Sequence, residues 1–411
     1  MKPIVKVATL LSLSAATLLA SGYRIPEQSL NSTALSAAYV AGANGADASY
    51  YNPANMALMG GGAEIETAIT YINLPKVKYT DVLPAGVGLN GDSKEEHFIM
   101  PTMHYVSPMM GNWRYGLSIV APAGLSKRWD ETYQMAKAKE FSLKVIEVNP
   151  TLSYKVNDQF GLGFGLRGVY SDGVIKMQGS ALGGYVNEMK ADSIDFGYNL
   201  AMSYRPINDL TLSATYRSNV DLTVKGSAEG SITGLGGAFS SDAKTQIPLP
   251  ASLALAAAYT IEKTTVEFVF ERTYWSAYDK LDFDFSSAAP NLAFGAVSPK
   301  EWKDVNAYRI GISHQYNDAL KLMAGFAIDE NPIPDNRVSF ELPDSDAKLY
   351  SVGFEYKLNK QMSFGLAYLY DDKETRTIDT RSNEADPTTG IHGTFTDSAA
   401  HLVTASFKYK F

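Results

Sequence analysis

The chain has 411 residues, a formal net charge of −8 and no cysteine. The lack of cysteine excludes disulfide frameworks and thiolate metal sites, and it suits an oxidising compartment in which a free thiol is a liability. The acidic balance argues against nucleic acid as a partner, because no basic stripe is present to neutralise phosphates. Tyrosine (25), phenylalanine (18) and glycine (33) are abundant. The type of composition stays the same from about residue 63 to the end, and no obvious linker divides this part of the chain.

The first twenty residues predict export from the cytoplasm. Lys2 and Lys6 precede an apolar run, residues 7–20, that is too short to cross ~30 Å of hydrocarbon as a helix. This run is typical of a secretory signal peptide, residues 1–20, with cleavage expected after Ala20, although Leu18 makes the site imperfect. Because no later stretch approaches about 18 uninterrupted apolar residues, any membrane span must be a strand.

Strand-like alternation recurs along the chain. In the last eleven residues one face is mostly apolar and aromatic and the other mostly polar, and the apolar face carries His401, Val403, Ala405, Phe407, Tyr409 and Phe411. This period of two predicts a β-strand. The pattern recurs at residues 160–167, 194–205, 210–217, 320–328, 350–358 and 364–370. A soluble sandwich also alternates, so the pattern alone does not distinguish it from a membrane barrel.

The connections distinguish these two architectures. Six short polar turns are predicted at residues 107–112, 156–160, 205–210, 260–264, 316–320 and 358–362. They alternate with seven long Gly/Ser/Asp/Pro-rich loops at residues 74–96, 122–140, 179–191, 226–245, 284–300, 329–344 and 373–398. Thirteen alternating connections require fourteen strands with both ends on the short-turn side. We therefore predict an all-β, 14-stranded antiparallel transmembrane β-barrel over residues 61–411, whose last strand closes against the first and faces lipid; a soluble all-β protein is the alternative.

Residues 21–60 are expected to form a hatch, a plug inside the barrel. A fourteen-stranded barrel has a lumen too wide for its own side chains to fill. The segment is rich in Ala, Gly, Ser and Asn and lacks strand alternation, and Ser29 or Asn31 is placed to cap a short helix. The alternative is a disordered periplasmic leader, against which apolar residues such as Leu30 and Leu35 argue.

Five short motifs stand out along the mature chain: "SGYRIPEQS" (21–29), the triplet Asn52, Pro53 and Ala54, "TYWSAYDKL" (273–281), "WKDVNAYRIGISHQYND" (302–318) and "AGFAIDENPIPDNRVSFELPDSD" (324–346). Together they resemble the FadL family of outer-membrane transporters for long-chain fatty acids and other hydrophobic compounds. The resemblance covers essentially the whole mature chain. It implies a fourteen-stranded barrel with an N-terminal hatch and passive uptake of apolar molecules in the outer membrane of a Gram-negative bacterium.

The resemblance also implies a lateral exit at a kinked third strand. This strand is expected at about residues 112–121, with Gly116 and Pro122 as candidate kink residues. The hatch triplet is expected to pack against the strand and hold the gap. The alternatives are an ordinary lumen-facing glycine at position 116 and a plain Asn-Pro turn at the triplet.

Ligand contacts are assigned to aromatic and basic residues. Tyr23 resembles the family aromatic that reaches toward the ligand, and Lys176 and Lys303 match headgroup positions. The second long loop supplies candidates for an outer groove, with ordinary loop packing as the alternative: Trp129, Tyr133 and Met135.

Three arginines lie on polar strand faces about eight or nine residues from their short turns: Arg167, Arg217 and Arg309. At comparable heights they would form a lumenal ring. Such a ring either draws in a fatty carboxylate or pairs with protein carboxylates. We favour the pairing with protein carboxylates. The carboxylates considered are Glu27, Asp47, Glu267 and Glu355.

No feature predicts catalysis or a cofactor. The five histidines have no metal-ligand spacing, "GLGFGLRG" (161–168) alternates within a strand, and the Ser/His grouping of a barrel lipase is not apparent. Within transport, the alternatives are a carrier of aromatic hydrocarbons and a general diffusion porin. The expected partners are a hydrophobic ligand, with a long-chain fatty acid favoured, outer-membrane lipid, lipopolysaccharide and the barrel-assembly machinery, and we expect a monomer.

Overall fold

A closed antiparallel barrel dominates the computed structural model, which describes residues 22–82, 89–379 and 391–411. The predicted signal peptide lies outside these residues. The barrel strands are β1 (Glu64–Leu74), β2 (Glu96–Val106), β3 (Trp113–Arg128), β4 (Glu140–Lys155), β5 (Phe160–Gly179), β6 (Tyr185–Ile207), β7 (Leu210–Arg217 and Val220–Ile232), β8 (Gly237–Leu249 and Ser252–Ile261), β9 (Thr264–Thr273), β10 (Val305–Gln315), β11 (Leu320–Asp329), β12 (Ala347–Lys357), β13 (Met362–Lys373) and β14 (Ala399–Lys410). Because β1 pairs with β2 on one side and with β14 on the other, the sheet has no free edge. The predicted all-β, 14-stranded antiparallel barrel is confirmed.

The alternation of the strands separates the inside of the barrel from the outside. On β14, Leu402, Thr404 and Lys408 are buried, whereas Val403 and Phe407 are 37% and 43% exposed. The apolar face predicted for the C-terminal strand therefore faces outward. No helix in residues 22–82, 89–379 and 391–411 is long and apolar enough to span a bilayer.

Short turns at one end of the barrel share their chemistry. The side-chain oxygens of Asn157, Asn317 and Asn359 each accept hydrogen bonds from two backbone N–H groups two and three residues further on. An asparagine in this position stabilises a turn by replacing a backbone acceptor. In the two-residue turn between β8 and β9, Glu262 adopts φ 53°.

Two of the predicted long loops are much shorter in the structure. Strands β5 and β6 are joined by residues 180–184 and the upper part of β7 joins β8 through residues 233–236. The predictions of loops over residues 179–191 and 226–245 are therefore wrong, and β3 likewise continues to Arg128 rather than ending near residue 121. The extensions pair through their backbones, but polar or small residues occur on both of their faces. They therefore lack the alternation of apolar residues by which a strand is recognised in a sequence.

An N-terminal segment, residues 22–59, lies across the lumen. It contains helices α1 (Leu30–Ala34), α2 (Ala48–Tyr51) and α3 (Pro53–Met56), and Ser29 caps α1 by accepting the Ser32 N–H. Helix α1 contacts β11 to β14, whereas α2 and α3 contact strands between β2 and β6. The wall approaches this segment so closely that a Cβ at Gly163 would lie 2.4 Å from the Ala54 nitrogen. Glycine is therefore required where the segment meets the wall.

Connections at the other end carry small elements of their own. Helices α4 (Thr132–Ala138) and α5 (Ala288–Phe294) lie in loops. Short strands in the first and last long loops form a four-stranded sheet: Lys78–Asp81, Gly91–Asp92, Arg376–Asp379 and His392–Thr396. A further pair joins Lys280–Leu281 to Ser298–Pro299, and Asp284–Phe285 pairs with β8.

Candidate functional site

The ladder between β2 and β3 is interrupted. Regular pairing ends at Met103↔Ile119. The next pair toward the loops is an isolated bridge between Ser93 and Trp129, just beyond the ends of both strands. Between these points residues 95–102 and 120–127 have no partner in the opposite strand. The wall therefore contains a gap at the level of the upper part of β3.

The bend of β3 lies at Ala121 and Pro122. The register between β3 and β4 shifts between Val120 and Ala123, so β3 has one extra residue there. A bulge with a proline bends a strand and removes a ladder hydrogen bond. Of the two predicted kink residues, Pro122 lies at the shift, but Gly116 pairs regularly with Val106 and Thr151. Assigning the kink to Gly116 is wrong: a Cβ there would meet Ser49 and Met56 of the N-terminal segment, so this glycine provides room for the segment.

The start of the N-terminal segment occupies the gap. The backbone N–H of Ile25 donates to Pro122 O, and Gly124 N–H donates to Tyr23 O, both at 2.9 Å. The Gln28 carboxamide accepts from Ala121 N–H and donates to Ala121 O, both at 2.8 Å. The side chain of Gln28 thus supplies the hydrogen-bond partners for the backbone N–H and C=O of Ala121, at a place where β2 does not pair with β3.

Further bonds anchor the segment to both sides of the lumen. His104 of β2 donates through Nε2 to Gln28 O and contacts the Ser118 hydroxyl through Nδ1; both side chains are fully buried. Arg24 reaches β9, donating to Thr273 and forming an ion pair of 2.7 Å with Glu271. The gap is therefore closed by a part of the chain that is bound to the wall through hydrogen bonds and one ion pair.

The triplet 52–54 does not lie at this gap. Asn52 donates to the hydroxyls of Ser203 and Ser213 on β6 and β7, and Pro53 and Ala54 pack against Gly163 and Gly161 of β5. The hydrogen bonds and closest contacts of the triplet are therefore with β5, β6 and β7 and not with the bent part of the third strand. In addition, Asn52 and Asn55 donate to backbone oxygens of residues 40–43, which fixes the fold of the segment itself.

The three lumenal arginines divide into two clusters and do not form a ring. Arg167 and Arg217 share Glu147, the first at 2.9 Å. Arg309 pairs with Asp329 at 3.1 Å and with Glu271 at 3.5 Å. The favoured pairing with protein carboxylates is found, but with other carboxylates than those considered. Of the latter, Glu267 accepts backbone N–H groups of residues 40–42, Asp47 accepts from Asn31 and Tyr39, and Glu355 pairs with Lys408 and Lys321.

Two adjoining pockets lie inside the barrel and share Phe141, Leu143 and Ile247. The Tyr23 pocket is also lined by Tyr23, Leu125, Tyr278, Lys300, Trp302, Ile333, Arg337, Ser339, Glu341 and Leu342. The Met189 pocket is also lined by Ser142, Gly173, Ile175, Met189, Ala191, Val224, Ala243, Lys244, Thr245 and Phe283. Most of these side chains are apolar and a few are polar, which is the composition of small-molecule sites.

An aromatic cluster forms one end of the Tyr23 pocket. The ring of Tyr23 packs edge-on against Trp275 at a centroid distance of 4.7 Å and contacts Tyr278 and Trp302. Its hydroxyl donates to Pro248 O. Burial, and to a lesser extent Glu341, raises the pKa of Tyr278, so this phenol stays neutral. Tyr23 thus lines the pocket with its ring while its backbone oxygen is bound to β3 at the gap.

The charged groups of the Tyr23 pocket are paired. Lys300 Nζ lies 2.6 Å from Glu341 Oε1, and Arg337 lies 2.9 Å from Glu301. Burial alone would raise the pKa of Glu341, but Lys300 holds it below its ordinary value. Two cations and two carboxylates leave this end of the pocket without net charge.

The predicted headgroup and groove residues lie elsewhere. Lys176 pairs with Glu140 at 2.9 Å, and neither it nor the exposed Lys303 lines either pocket. Trp129 and Tyr133 pack against Phe340 in the loops, and Trp129 Nε1 donates to Phe340 O. Met135 is half-buried on α4 and, like them, lines neither pocket. Loop packing, the alternative for these three residues, describes their environment.

Several site residues were not identified from sequence. Gln28, Trp275, Tyr278, Trp302 and Glu341 all lie within motifs that carry the family resemblance. Their position in those motifs was the available signal, but no spacing rule shows that side chains more than 300 residues apart meet. Among the described residues, no group of three or more acidic or histidine side chains is arranged to hold a metal ion.

Comparisons with known proteins agree with this architecture. The family model described as "Outer membrane protein transport protein (OMPP1/FadL/TodX)" matches residues 11–411. The chain is 24% identical over 343 residues to the long-chain fatty acid transport protein of Escherichia coli K12, covering 72% of this chain and 76% of the relative. It is 23% identical to outer membrane protein P1 of Haemophilus influenzae over 446 residues, covering 92% and 94%.

Solved structures show the same fold. A FadL homologue from Pseudomonas aeruginosa superimposes with a TM-score of 0.83 at 19% identity, covering 95% of this chain and 100% of the other. The toluene transporter TodX of Pseudomonas putida gives a TM-score of 0.70 at 19% identity, covering 93% and 99%. The chain therefore belongs to the outer membrane protein transport protein family (OMPP1/FadL/TodX), and its barrel lies in the outer membrane of a Gram-negative bacterium.

Proposed function

We propose that this protein takes up hydrophobic molecules, either long-chain fatty acids or other apolar compounds, passively across the outer membrane. The single observation that carries this proposal is the position of Tyr23. Its ring lines the apolar pocket, and its backbone oxygen binds Gly124 of β3 beside the gap in the wall. One short stretch therefore contacts both the ligand space and the exit.

The N-terminal segment acts as a hatch in this mechanism. A ligand in the Tyr23 pocket presses against residue 23, and a shift of residues 23–28 breaks their hydrogen bonds to β3. Those bonds are few and individually weak, about 0.5–1.5 kcal/mol net each, whereas most neighbouring strands of the wall are joined by long ladders of backbone pairs. An apolar molecule then leaves sideways through the gap into the membrane, without crossing the polar lower lumen.

The composition of the lumen supports lateral movement. The region next to the gap is apolar and includes Ile25, Phe98, Met100 and Ala121. Below it, the lumen contains ion pairs such as Lys408 with Glu355 and Glu66. Burying apolar surface is favourable by about 25 cal/mol per Å², so an apolar molecule prefers the gap to the charged region.

A disulfide across the gap tests this mechanism. Arg24 and Ala123 are bridge partners, so their Cα atoms are close enough for a disulfide, and the chain has no native cysteine to interfere. We expect the oxidised variant with Arg24→Cys and Ala123→Cys to lose uptake in cells and to regain it when reduced.

Two controls accompany this experiment. The single change Arg24→Cys measures the loss of the ion pair with Glu271. The double change Thr260→Cys and Thr265→Cys places a disulfide between regularly paired residues of β8 and β9 and should leave uptake intact. Uptake by the oxidised Arg24/Ala123 variant at the rate of the reduced one would show that residues 23–28 need not move.

A general diffusion porin is distinguished by its conductance. A hatch predicts low conductance in planar bilayers for the intact protein and a sharp rise when residues 22–55 are deleted. Equal conductance of both forms would contradict the hatch. The barrel closes within one chain, so we also propose a monomer, surrounded by outer-membrane lipid and lipopolysaccharide and inserted by the barrel-assembly machinery.

A further inference from the structure

The Tyr23 pocket contains charged groups, but they are not available to a ligand. Lys300 is almost fully buried and is held by Glu341 at 2.6 Å, and Arg337 is held by Glu301. Glu341 lies in the loop after β11 and Lys300 in the loop after β9, so the pair also joins two loops. The carboxylate of Glu341 occupies the position that a ligand carboxylate would take on Lys300.

A ligand with a carboxylate is therefore disfavoured in this pocket. To reach Lys300 it must displace Glu341, which would leave a buried carboxylate without its cation. If it does not displace Glu341, the ligand's own charge is buried beside a neutral pair. An uncharged molecule incurs neither cost.

One hydrogen-bond donor of the pocket has no acceptor. Trp302 lines the Tyr23 pocket and is 5% exposed, and its Nε1–H is buried without a partner in the described parts of the chain. Buried indole N–H groups normally find an acceptor. A ligand that carries an acceptor oxygen would supply one.

We propose that the Tyr23 pocket selects uncharged hydrophobic molecules that carry a hydrogen-bond acceptor, and that Glu341 determines this selectivity by neutralising Lys300. The proposal rests on the proposed uptake function and specifies its substrate class: medium or long apolar chains or rings ending in an alcohol, ester or ketone. A free carboxylate is the class it disfavours.

Lys244 offers the other place where a carboxylate could bind. It lines the adjoining Met189 pocket, and its side chain is exposed at the edge of the barrel. Asp284 lies directly opposite it in the sheet. Screening by solvent makes such an exposed cation a weak anchor, and the test includes it as a competing site.

The test measures equilibrium binding of radiolabelled ligands to the full protein in lipid nanodiscs at pH 8, corrected for empty nanodiscs. The ligands have equal chain lengths: 1-decanol, methyl decanoate, decane and decanoate. We expect decanoate to bind at least about tenfold more weakly than the alcohol and ester. In Glu341→Gln, which frees Lys300, decanoate should bind about tenfold more tightly, while the alcohol and ester change little.

Matched variants separate charge from packing. Glu140→Gln frees Lys176 outside the pocket and should leave all four affinities unchanged. Adding Lys300→Met to Glu341→Gln should abolish the gain for decanoate, because that gain requires a free cation. Trp302→Phe removes the donor but keeps an aromatic ring, so the alcohol and ester should bind about fivefold more weakly and decane should not.

Three results would overturn the proposal. The first is decanoate binding as tightly as the ester in the native protein, especially if Lys244→Gln abolishes it. The second is a Glu341→Gln variant that folds, as judged by its heat-modifiable gel mobility, yet gains no affinity for decanoate. The third is a Trp302→Phe variant that weakens decane as much as the alcohol. Because no uptake is measured, failure here leaves the lateral-exit mechanism untouched.

Discussion

Two interruptions of the barrel wall are closed in different ways. Between β2 and β3 the gap is filled by residues 23–28 of the N-terminal segment. Between β6 and β7, pairing stops at Asn199↔Arg217 and resumes at Asp192↔Lys225, with one extra residue in β7. This second interruption is closed by side chains of the wall itself.

The contacts at the second interruption show how this is done. Asp195 of β6 accepts the Thr223 N–H at 3.2 Å, on the side of β7 where β6 supplies no ladder partner. Arg167 donates to Ser218 O, and the Ser218 hydroxyl accepts the Tyr198 N–H. Arg167 is in turn held by Glu147. A network of wall side chains thus replaces the backbone ladder.

The difference teaches where movement is possible. Both interruptions leave backbone groups that must be satisfied. Where the partners belong to the wall, releasing them disturbs the barrel. Where the partners belong to a separate segment, they can leave while the barrel stays closed. The β2–β3 gap is therefore suited to opening and the β6–β7 interruption is not.

The largest expected effect comes from removing the support of the second interruption. Glu147→Gln leaves Arg167 and Arg217 buried without their shared carboxylate, so we expect the free energy of unfolding to fall by ~3–5 kcal/mol. Urea unfolding in lipid vesicles measures this. The exposed pair of Lys348 and Glu374 provides the control, since Glu374→Gln should cause no measurable change. Equal stability of the two variants would contradict the structural role given to Glu147.

A smaller loss of stability is expected at Asp195. In Asp195→Ala the Thr223 N–H loses its acceptor, which should lower the free energy of unfolding by ~1–3 kcal/mol. Amide exchange at Thr223 should accelerate together with that of neighbouring residues of β6. Unchanged exchange would show that water replaces the aspartate.

Gln28→Ala is the corresponding change at the first gap. It removes both side-chain bonds to Ala121, so exchange of the Ala121 amide should accelerate by about tenfold or more. Unfolding of the barrel strands themselves should change little, because residues 23–28 detach in a separate, earlier step and the wall ladders are untouched. If Gln28→Ala instead destabilises the barrel as much as Asp195→Ala, the distinction between the two closures is lost.

The smallest effect concerns the loops above the pocket. The pKa of Glu341 is lower in the folded protein than in the unfolded chain, since Lys300 outweighs the effect of burial. Its pairing therefore stabilises the loops above the unfolded pKa of ~4.3, and this stabilisation is lost as the pH falls through the lower folded pKa. Proteolysis of residues 330–346 should be slow at pH 5–8 and faster below about pH 4. The Glu341→Gln variant should lack this pH dependence, and a native-like response in it would assign the effect to another group.

Sequence patterns predicted the barrel better than the site. Period-two alternation and the asparagine turns at Asn157, Asn317 and Asn359 lead directly to fourteen strands, because each is a local property of the chain. The triplet 52–54 and Gly116 were not assigned to the contacts that the structure shows, since a motif does not show which wall strand it meets. For the same reason Lys303 was predicted to contact the ligand headgroup, whereas the lysine that lines the Tyr23 pocket is Lys300, three residues earlier.

The sequence by itself determined the membrane barrel, its strand number, the direction of its faces and its family, because these depend on local periodicity and on motifs. Only the tertiary structure decided that Gln28 completes the bent third strand, that the arginines divide between Glu147 and Asp329, and that Glu341 neutralises Lys300. The physical reason is that these interactions join residues from distant strands and loops. Closure of the barrel brings them together, and no local pattern in the chain records their distances.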